Sequence, residues 1–164
     1  MFDVTVDFPR MKVAVKIRDE KVVEIRYLPL SSPSISPTSA LAGEAKRQLE
    51  AYRANPDATF DLPLQIEGTP FQLKLWDAMC RIPRGKTRTY GDLAQELEGE
   101  ARVVGQACGD NRLPIVIPCH RVVAADGGLG GFSAHGGIAT KRRLLWIEGA
   151  ATAGTADLFD QPTG

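Results

Sequence analysis

The sequence has no long hydrophobic run. Nowhere in its 164 residues does a stretch approach the roughly 20 apolar residues needed to span a bilayer, which excludes a membrane-spanning helix. The start, MFDVTVDFPR, places acids where a secretory signal has a basic start and an apolar run, so a cytoplasmic protein is expected. Cysteine and histidine are scarce. Cys80, Cys108 and Cys119 form an odd set at spacings of 28 and 11 residues, the pattern of neither a disulfide framework nor a zinc knuckle. Only His120 and His135 could join them as imidazole ligands, so no metal site is expected and the thiols are read as free in a reducing compartment. An excess of charge is missing too, with 20 basic and 20 acidic side chains. Bulk charge therefore neither marks a polyanion-binding protein nor excludes one whose basic groups are local. Residues 1–66 carry nine of each sign, residues 67–149 carry eleven basic and nine acidic, and only Asp157 and Asp160 follow.

With 43% hydrophobic residues the chain can bury a core as one medium domain or two small ones. VTVDF, KVAVKIR and KVVEIRYLPL read as three short strands of an antiparallel meander, separated by turns. The Pro/Ser segment SSPSISPTSA is a loop. ALAGEAKRQLEAYRANP then places Leu41, Ala45, Leu49 and Tyr52 on one helical face before Pro56 stops it. DATFDLPLQIEG has no helical period and reads as a linker or extended crossover. At Thr69 a capping signature opens a helix: Thr69 caps, Pro70 suits the first helical position and Gln72 reaches back. Phe71, Leu75, Trp76 and Met79 form its core face. IPRGKTRTY is a basic turn, TYGD is a second helix start leading into LAQEL, and after the link EGE comes ARVVGQACGDN, so the pair resembles a helix-turn-helix. Residues 115–117 and 121–123 are strand-like, with Pro118 breaking regular pairing before Cys119. A glycine-dense loop follows, then a helix through ATKRRLLWIEG that Gly149 stops. These elements predict an α/β (α+β) protein: an N-terminal three-stranded sheet plus helix over 1–66, a mainly helical domain with a short active-site sheet over 67–150, and a flexible tail over 151–164.

A cysteine in an apolar segment is ordinarily an inert buried thiol. Three neighbours of Cys119 argue otherwise. His120 and Arg121 supply positive or proton-accepting character that favours the thiolate of a group otherwise protonated below about pH 8.5. Pro118 fixes the local turn, and the glycine-rich loop lets a flat ligand lie close to backbone. A cysteine hydrolase is disfavoured, because Cys119 and His120 point to opposite faces if residues 119–121 continue a strand. A thiol that attacks an alkyl carbon needs no hydrolase-type oxyanion hole, only a good leaving group.

PCHRVV, preceded by GDNRLPIVI and followed by GGFSAHGG, resembles the active-site signature of the O6-alkylguanine-DNA alkyltransferases, or methylated-DNA–protein-cysteine methyltransferases. The resemblance runs over residues 69–149 in family order, and the first 60 or so residues fit the family's variable first domain in outline. It implies direct, irreversible, single-turnover repair of O6-alkylguanine in double-stranded DNA, with O4-alkylthymine as a further candidate substrate and no cofactor. Cys119 is then the alkyl acceptor, His120 the base that activates it through a bound water, Glu148 the carboxylate that orients His120, and Tyr90 the proton donor to the leaving guanine. Ser133 lies where the family contacts the guanine oxygen, and Asn111 stabilises the turn around the site. Arg102 enters the base stack in place of the extruded nucleotide. Arg121 has a structural role, bridging to neighbouring backbone.

Base extrusion costs a few kcal/mol, and a wedge offsets part of it. The small residues around Ala101, Gly105 and Ala107 keep thin a helix that must lie in the minor groove without reading sequence. Arg84, Lys86 and Arg88 are candidates for phosphate contacts, or simply a solvated basic turn. Two departures concern the loop: Phe132 stands where many members have tyrosine, keeping stacking but losing a hydroxyl, and SAHGG is longer than the glycine turn of some members. With no Cys or His before Cys80, the zinc site of some members is absent. Rival readings are a non-enzymatic alkylated-DNA-binding relative, against which Cys119 itself argues, and a helix-turn-helix regulator, for which only Arg102 and Gln106 offer base-reading groups. No feature signals oligomerisation, so a monomer is expected.

Overall fold

Alternating apolar residues fold the first segment into a meander. The computed structural model describes residues 1–55, 57–125 and 137–150, and the chain divides into two units, Met1–Ile66 and Glu67–Gly164. In the first, β1 (Val4–Phe8), β2 (Met11–Arg18) and β3 (Lys21–Pro29) pair antiparallel in that order. Asp19 and Glu20 turn the second hairpin, both with positive φ (52° and 59°), the backbone of a tight hairpin turn. Helix α1 (Ala40–Ala54) is capped by the Ser39 side chain, which accepts from Ala42 N. It packs on β1 and β2, with Tyr52 against Phe8 and Phe60.

One expectation for this unit needs correction and another is extended. The buried face of α1 is Ala42, Ala45, Gln48, Leu49 and Tyr52, and Leu41 lies only half-buried at the helix start. Gln48 is buried because its amide exchanges hydrogen bonds with the Asp61 backbone, donating to the carbonyl (3.2 Å) and accepting from N–H (2.8 Å). The stretch before residue 66 is extended as expected and also pairs: Val22 N donates to Pro63 O (2.8 Å) and Gln65 N to Val22 O (2.9 Å). On the other edge, Thr5 N donates to Ile35 O (3.0 Å), so both outer strands have part of their unpaired backbone covered.

The second unit begins with α2 (Pro70–Cys80), whose capping box forms as expected: Gln72 N donates to Thr69 Oγ1 and Thr69 N to Gln72 Oε1. Leu75, Trp76, Ala78 and Met79 are its buried residues, with Phe71 half-buried. β4 (Arg88–Thr89) runs directly into α3 (Tyr90–Glu96), where Thr89 and Asp92 form a second reciprocal cap. The link to α4 (Ala101–Gly109) closes by Gly99 N to Ala94 O (2.8 Å) and Glu98 N to Gln95 O (3.4 Å), with Glu98 left-handed at φ 56°. Helices α3 and α4 pack together as the expected helix-turn-helix. β5 (Val122–Val123) pairs parallel with β4, Arg88 opposite Val122 and Thr89 opposite Val123. Helix α5 (Gly137–Ile147) ends at Gly149 (φ 75°), where Ala150 N bonds Leu145 O and Gly149 N bonds Trp146 O, the hydrogen-bond pair that stops a helix at glycine. Among the described residues no helix is long and apolar enough to cross a membrane.

Candidate active site

Asparagine 111 organises the segment that carries the cysteine. Its Oδ1 accepts from Leu113 N (2.9 Å) and its Nδ2 donates to Ile117 O (2.8 Å). With Ile117 N bonded to Leu113 O (2.8 Å) and Ile115 at φ 73°, residues 113–117 are a side-chain-stabilised turn. The strand expected at 115–117 does not form, because Asn111 and the local turn consume the groups a ladder would use. Pro118 (φ −83°, ψ 68°) centres a three-residue turn in which Cys119 N donates to Ile117 O (2.8 Å).

Cys119–Arg121 then form one turn of 3-10 helix, and β5 follows. The condition that residues 119–121 continue a strand is not met, and of the strand expected at 121–123 only Val122 and Val123 form. Successive side chains in a 3-10 turn lie about a third of a circle apart rather than on opposite faces. Geometry of alternation is no longer an argument against a Cys119–His120 partnership.

Cys119 is 5% exposed and His120 fully buried. His120 Nε2 lies 2.6 Å from Glu148 Oε2, and Glu148 is fixed there as the residue between the end of α5 and the stop at Gly149. Arg121 also holds Glu148, donating from Nε to Oε1 and from Nη2 to Oε2, both at 2.9 Å, while its Nη1 donates to Ile82 O (2.6 Å). Burial pushes the Glu148 carboxyl up, but His120 and Arg121 outweigh it and hold the group well below the ordinary carboxylate range. An ionised Glu148 accepts the Nε2 proton, which makes Nδ1 the basic nitrogen. That Nδ1 is buried without a hydrogen-bond partner among the described residues.

The thiol itself is held in its protonated form. Burial raises the Cys119 thiol, with the Asn111 side chain and Lys141 acting in the opposite direction. This corrects the expectation that Arg121 favours the thiolate: Arg121 is committed to Glu148 and Ile82, and the cation acting on Cys119 is Lys141. Such a thiol needs a base at the moment of reaction.

The β4–β5 pairing brings Tyr90 to the same place, because the residue after Thr89 begins α3 beside the cysteine segment. Burial, with Cys108 and Cys119 nearby, pushes Tyr90 up to about 12. Lys141, fully buried in α5, donates to Val122 O (2.6 Å) and to Tyr90 Oη (3.3 Å), and burial lowers it to about 8. Sequence reasoning missed Lys141. The available signal was position: Lys141, Leu144, Leu145 and Glu148 follow i, i+3, i+4, i+7 on one helix face, so the ion is on the buried side with the leucines.

Of the proposed DNA-facing residues, Ala101 and Arg102 are exposed and Gly105 half-buried on α4, while Val104 and Ala107 turn inward. The Arg102 side chain is 73% exposed and approaches Glu100 at a long 3.8 Å. Lys86 is exposed, whereas Arg88 pairs with Glu96 (2.5 Å) and Arg84 donates to Ile147 O (3.3 Å). Phe132, Ser133, the glycine-rich loop and the tail after residue 150 lie outside the described residues. Among the described residues no cluster of three or more His, Cys, Asp or Glu is arranged to hold a metal ion.

A buried cysteine beside its own histidine–carboxylate pair, on a helix-turn-helix frame, in a chain that opens with a small meander, defines a class of thiol-bearing proteins with the alkyltransferase fold. Residues 70–150 match the family model described as the 6-O-methylguanine DNA methyltransferase, DNA binding domain. The chain is similar to the methylated-DNA–protein-cysteine methyltransferase of Mycobacterium tuberculosis, 40% identical over 142 residues covering 85% of this chain and 84% of that one. It is similarly related to that of Mycolicibacterium paratuberculosis, 38% identical with 95% and 97% covered. Its structure resembles the crystal structure of Mycobacterium tuberculosis OGT in complex with DNA, with a TM-score of 0.78, 37% identity, and 95% and 98% of the two chains covered. The chain belongs to the methylated-DNA–protein-cysteine methyltransferase family.

Proposed function

We propose that this protein repairs double-stranded DNA by transferring the alkyl group of O6-alkylguanine directly and irreversibly to Cys119, once per molecule. The observation that carries the reading is the Cys119 thiol, protonated by burial and adjacent to a His120 whose Nδ1 is unpartnered among the described residues, in a chain whose relatives are methylated-DNA–protein-cysteine methyltransferases. The thiol proton passes to His120, Sγ forms a bond to the alkyl carbon, and the bond from that carbon to guanine O6 breaks. Glu148 stabilises the resulting imidazolium. Tyr90, which keeps its proton at neutral pH because burial pushes it up to about 12, supplies a proton to the leaving guanine. Lys141 Nζ, 3.3 Å from the tyrosine oxygen, stabilises the negative charge left there. The thioether product has no leaving group that this chain can expel, so the protein is consumed.

DNA engagement is assigned to the helix-turn-helix. Ala101, Arg102 and Gly105 give α4 a thin outer face with one long cation, suited to a minor groove read without sequence preference, and Arg102 takes the space of the flipped nucleotide. A relative of the same fold crystallised in complex with DNA supports this. Lys86 is the best placed of the basic-turn residues for phosphate contact, since Arg84 and Arg88 already have protein partners.

The test is repair of a duplex carrying O6-methylguanine. Wild type removes the lesion in an amount not exceeding the protein added, and Cys119→Ala removes none. Lesion loss catalysed by Cys119→Ala sinks the mechanism.

A further inference from the structure

Arg121 has no part in the transfer chemistry itself, yet it holds both oxygens of the carboxylate that orients the base. We propose that Arg121 is a positioning residue for alkyl transfer: its forked grip on Glu148 keeps that carboxylate ionised and acceptor-only, so that His120 carries its proton on Nε2 and presents Nδ1 to the thiol. The inference rests on Cys119 being the alkyl acceptor.

The geometry supports it at three points. Nε and Nη2 reach Oε1 and Oε2 at 2.9 Å each, the parallel pair that fixes a carboxylate in plane as well as in place. The third nitrogen, Nη1, is anchored on Ile82 O at 2.6 Å, so the guanidinium is itself immobilised by the turn after α2. Gly85, left-handed at φ 84°, lets that turn close on Glu148: a Cβ there would stand 3.2 Å from the Glu148 carbonyl oxygen.

Without the guanidinium, Glu148 would lose two of the charge-assisted hydrogen bonds that, together with His120, offset its burial. A buried carboxyl that loses part of this support is pushed toward its protonated form. A protonated Glu148 donates to Nε2 instead of accepting from it, which moves the imidazole proton to Nδ1 and removes the acceptor the thiol needs. Other ionisable groups facing this ensemble are Arg84 from the α2–β4 turn, Cys80 from α2, Tyr90 from α3, Cys108 from α4, and Lys141 from α5. The two cations among them are engaged elsewhere, Arg84 on Ile147 O and Lys141 on Val122 O and Tyr90 Oη.

The test compares single-turnover methyl transfer to Cys119 from duplex O6-methylguanine by wild type, Arg121→Gln and Arg121→Lys across roughly pH 5 to 9, with thermal melts to establish that the variants fold. In Arg121→Gln the acid limb moves up by about one pH unit or more, about tenfold in rate at the acid end, and the curves converge toward alkaline pH. Arg121→Lys restores charge without the fork and falls between. Folded variants that slow transfer by one factor at every pH, or leave it unchanged, overturn the proposal, since a merely structural arginine behaves that way. Should both variants fail to fold, nitrogen-15 NMR of the wild-type imidazoles decides, with His120 assigned by a His135→Gln variant: a bare Nδ1 near neutral pH supports the clamp and Nδ1–H overturns it. A wild type that transfers nothing to Cys119 defeats the functional reading instead, and the tautomer measurement then still decides the clamp on its own.

Discussion

Asn111 is the residue on which the active-site backbone most depends. Its amide satisfies Leu113 N and Ile117 O at once, and the same Ile117 carbonyl receives Cys119 N. Replacing it with alanine leaves Leu113 N without this acceptor, at about 1–3 kcal/mol where buried, and leaves Ile117 O with Cys119 N alone. Asn111→Ala is therefore expected to lower the urea midpoint markedly and to slow transfer by displacing Cys119; an unchanged midpoint contradicts this role. Glu148 supplies a pH signature. Its folded carboxyl sits below its ordinary value of 4.5, so the unfolded chain takes up its proton first as pH falls. The stabilisation is complete above the ordinary carboxylate range and is lost as pH drops through it toward the folded value. Glu148→Gln should melt lower than wild type at neutral pH, with the gap shrinking in acid; a gap independent of pH would speak against an ionised Glu148.

The helices show what a sequence reveals through local chemistry. Both capping boxes are legible because Thr69 with Gln72 and Thr89 with Asp92 act within a single turn. The final stop is legible from one glycine. Residues 115–117 mislead because their β-branched side chains signal strand while the deciding interaction is a side chain four residues upstream, at Asn111. On α1, hydrophobicity alone points Leu41 inward, yet the buried position next to it goes to Ala42, and Gln48 enters the core through Asp61. The cap at Thr89 also places the proposed proton donor, since it starts α3 at Tyr90. Thr89→Ala is predicted to cost about 1 kcal/mol of stability, measured by urea denaturation, and to weaken transfer beyond what the lost stability explains. For α4, Arg102→Ala is expected to slow repair of duplex substrate while leaving reaction with free O6-benzylguanine near normal. Equal losses on both substrates refute a role in base extrusion, because the free base needs none.

Across the whole molecule, the part proposed to carry the chemistry is the part most legible, since PCHRVV and the helix starts are short-range signals and the family resemblance they carry points to Asn111 and Tyr90. What stays hidden depends on distant pairings. His120 meets Glu148 across 28 residues and Lys141 meets Tyr90 across 51, and both contacts exist only because β4 and β5 pair and α5 returns its buried face to the 3-10 turn. Family resemblance points to Glu148, whereas Lys141 and the carboxylate grip of Arg121 emerge from the fold. The first unit leaves a weaker imprint: its meander and helix are legible, but the backbone pairing of Val22 with residues 63–65 is not, because an irregular Pro-containing segment carries no strand period. The central claim is that Cys119 is a reactant consumed by alkyl transfer, and mass spectrometry tests it directly. Wild-type protein incubated with excess duplex O6-methylguanine, without added cofactor, should gain the mass of one methyl group per chain, located on the peptide holding Cys119, and then stop reacting. Turnover beyond one lesion per chain, or a methyl group found on Cys80 or Cys108 with Cys119 unmodified, would contradict the account.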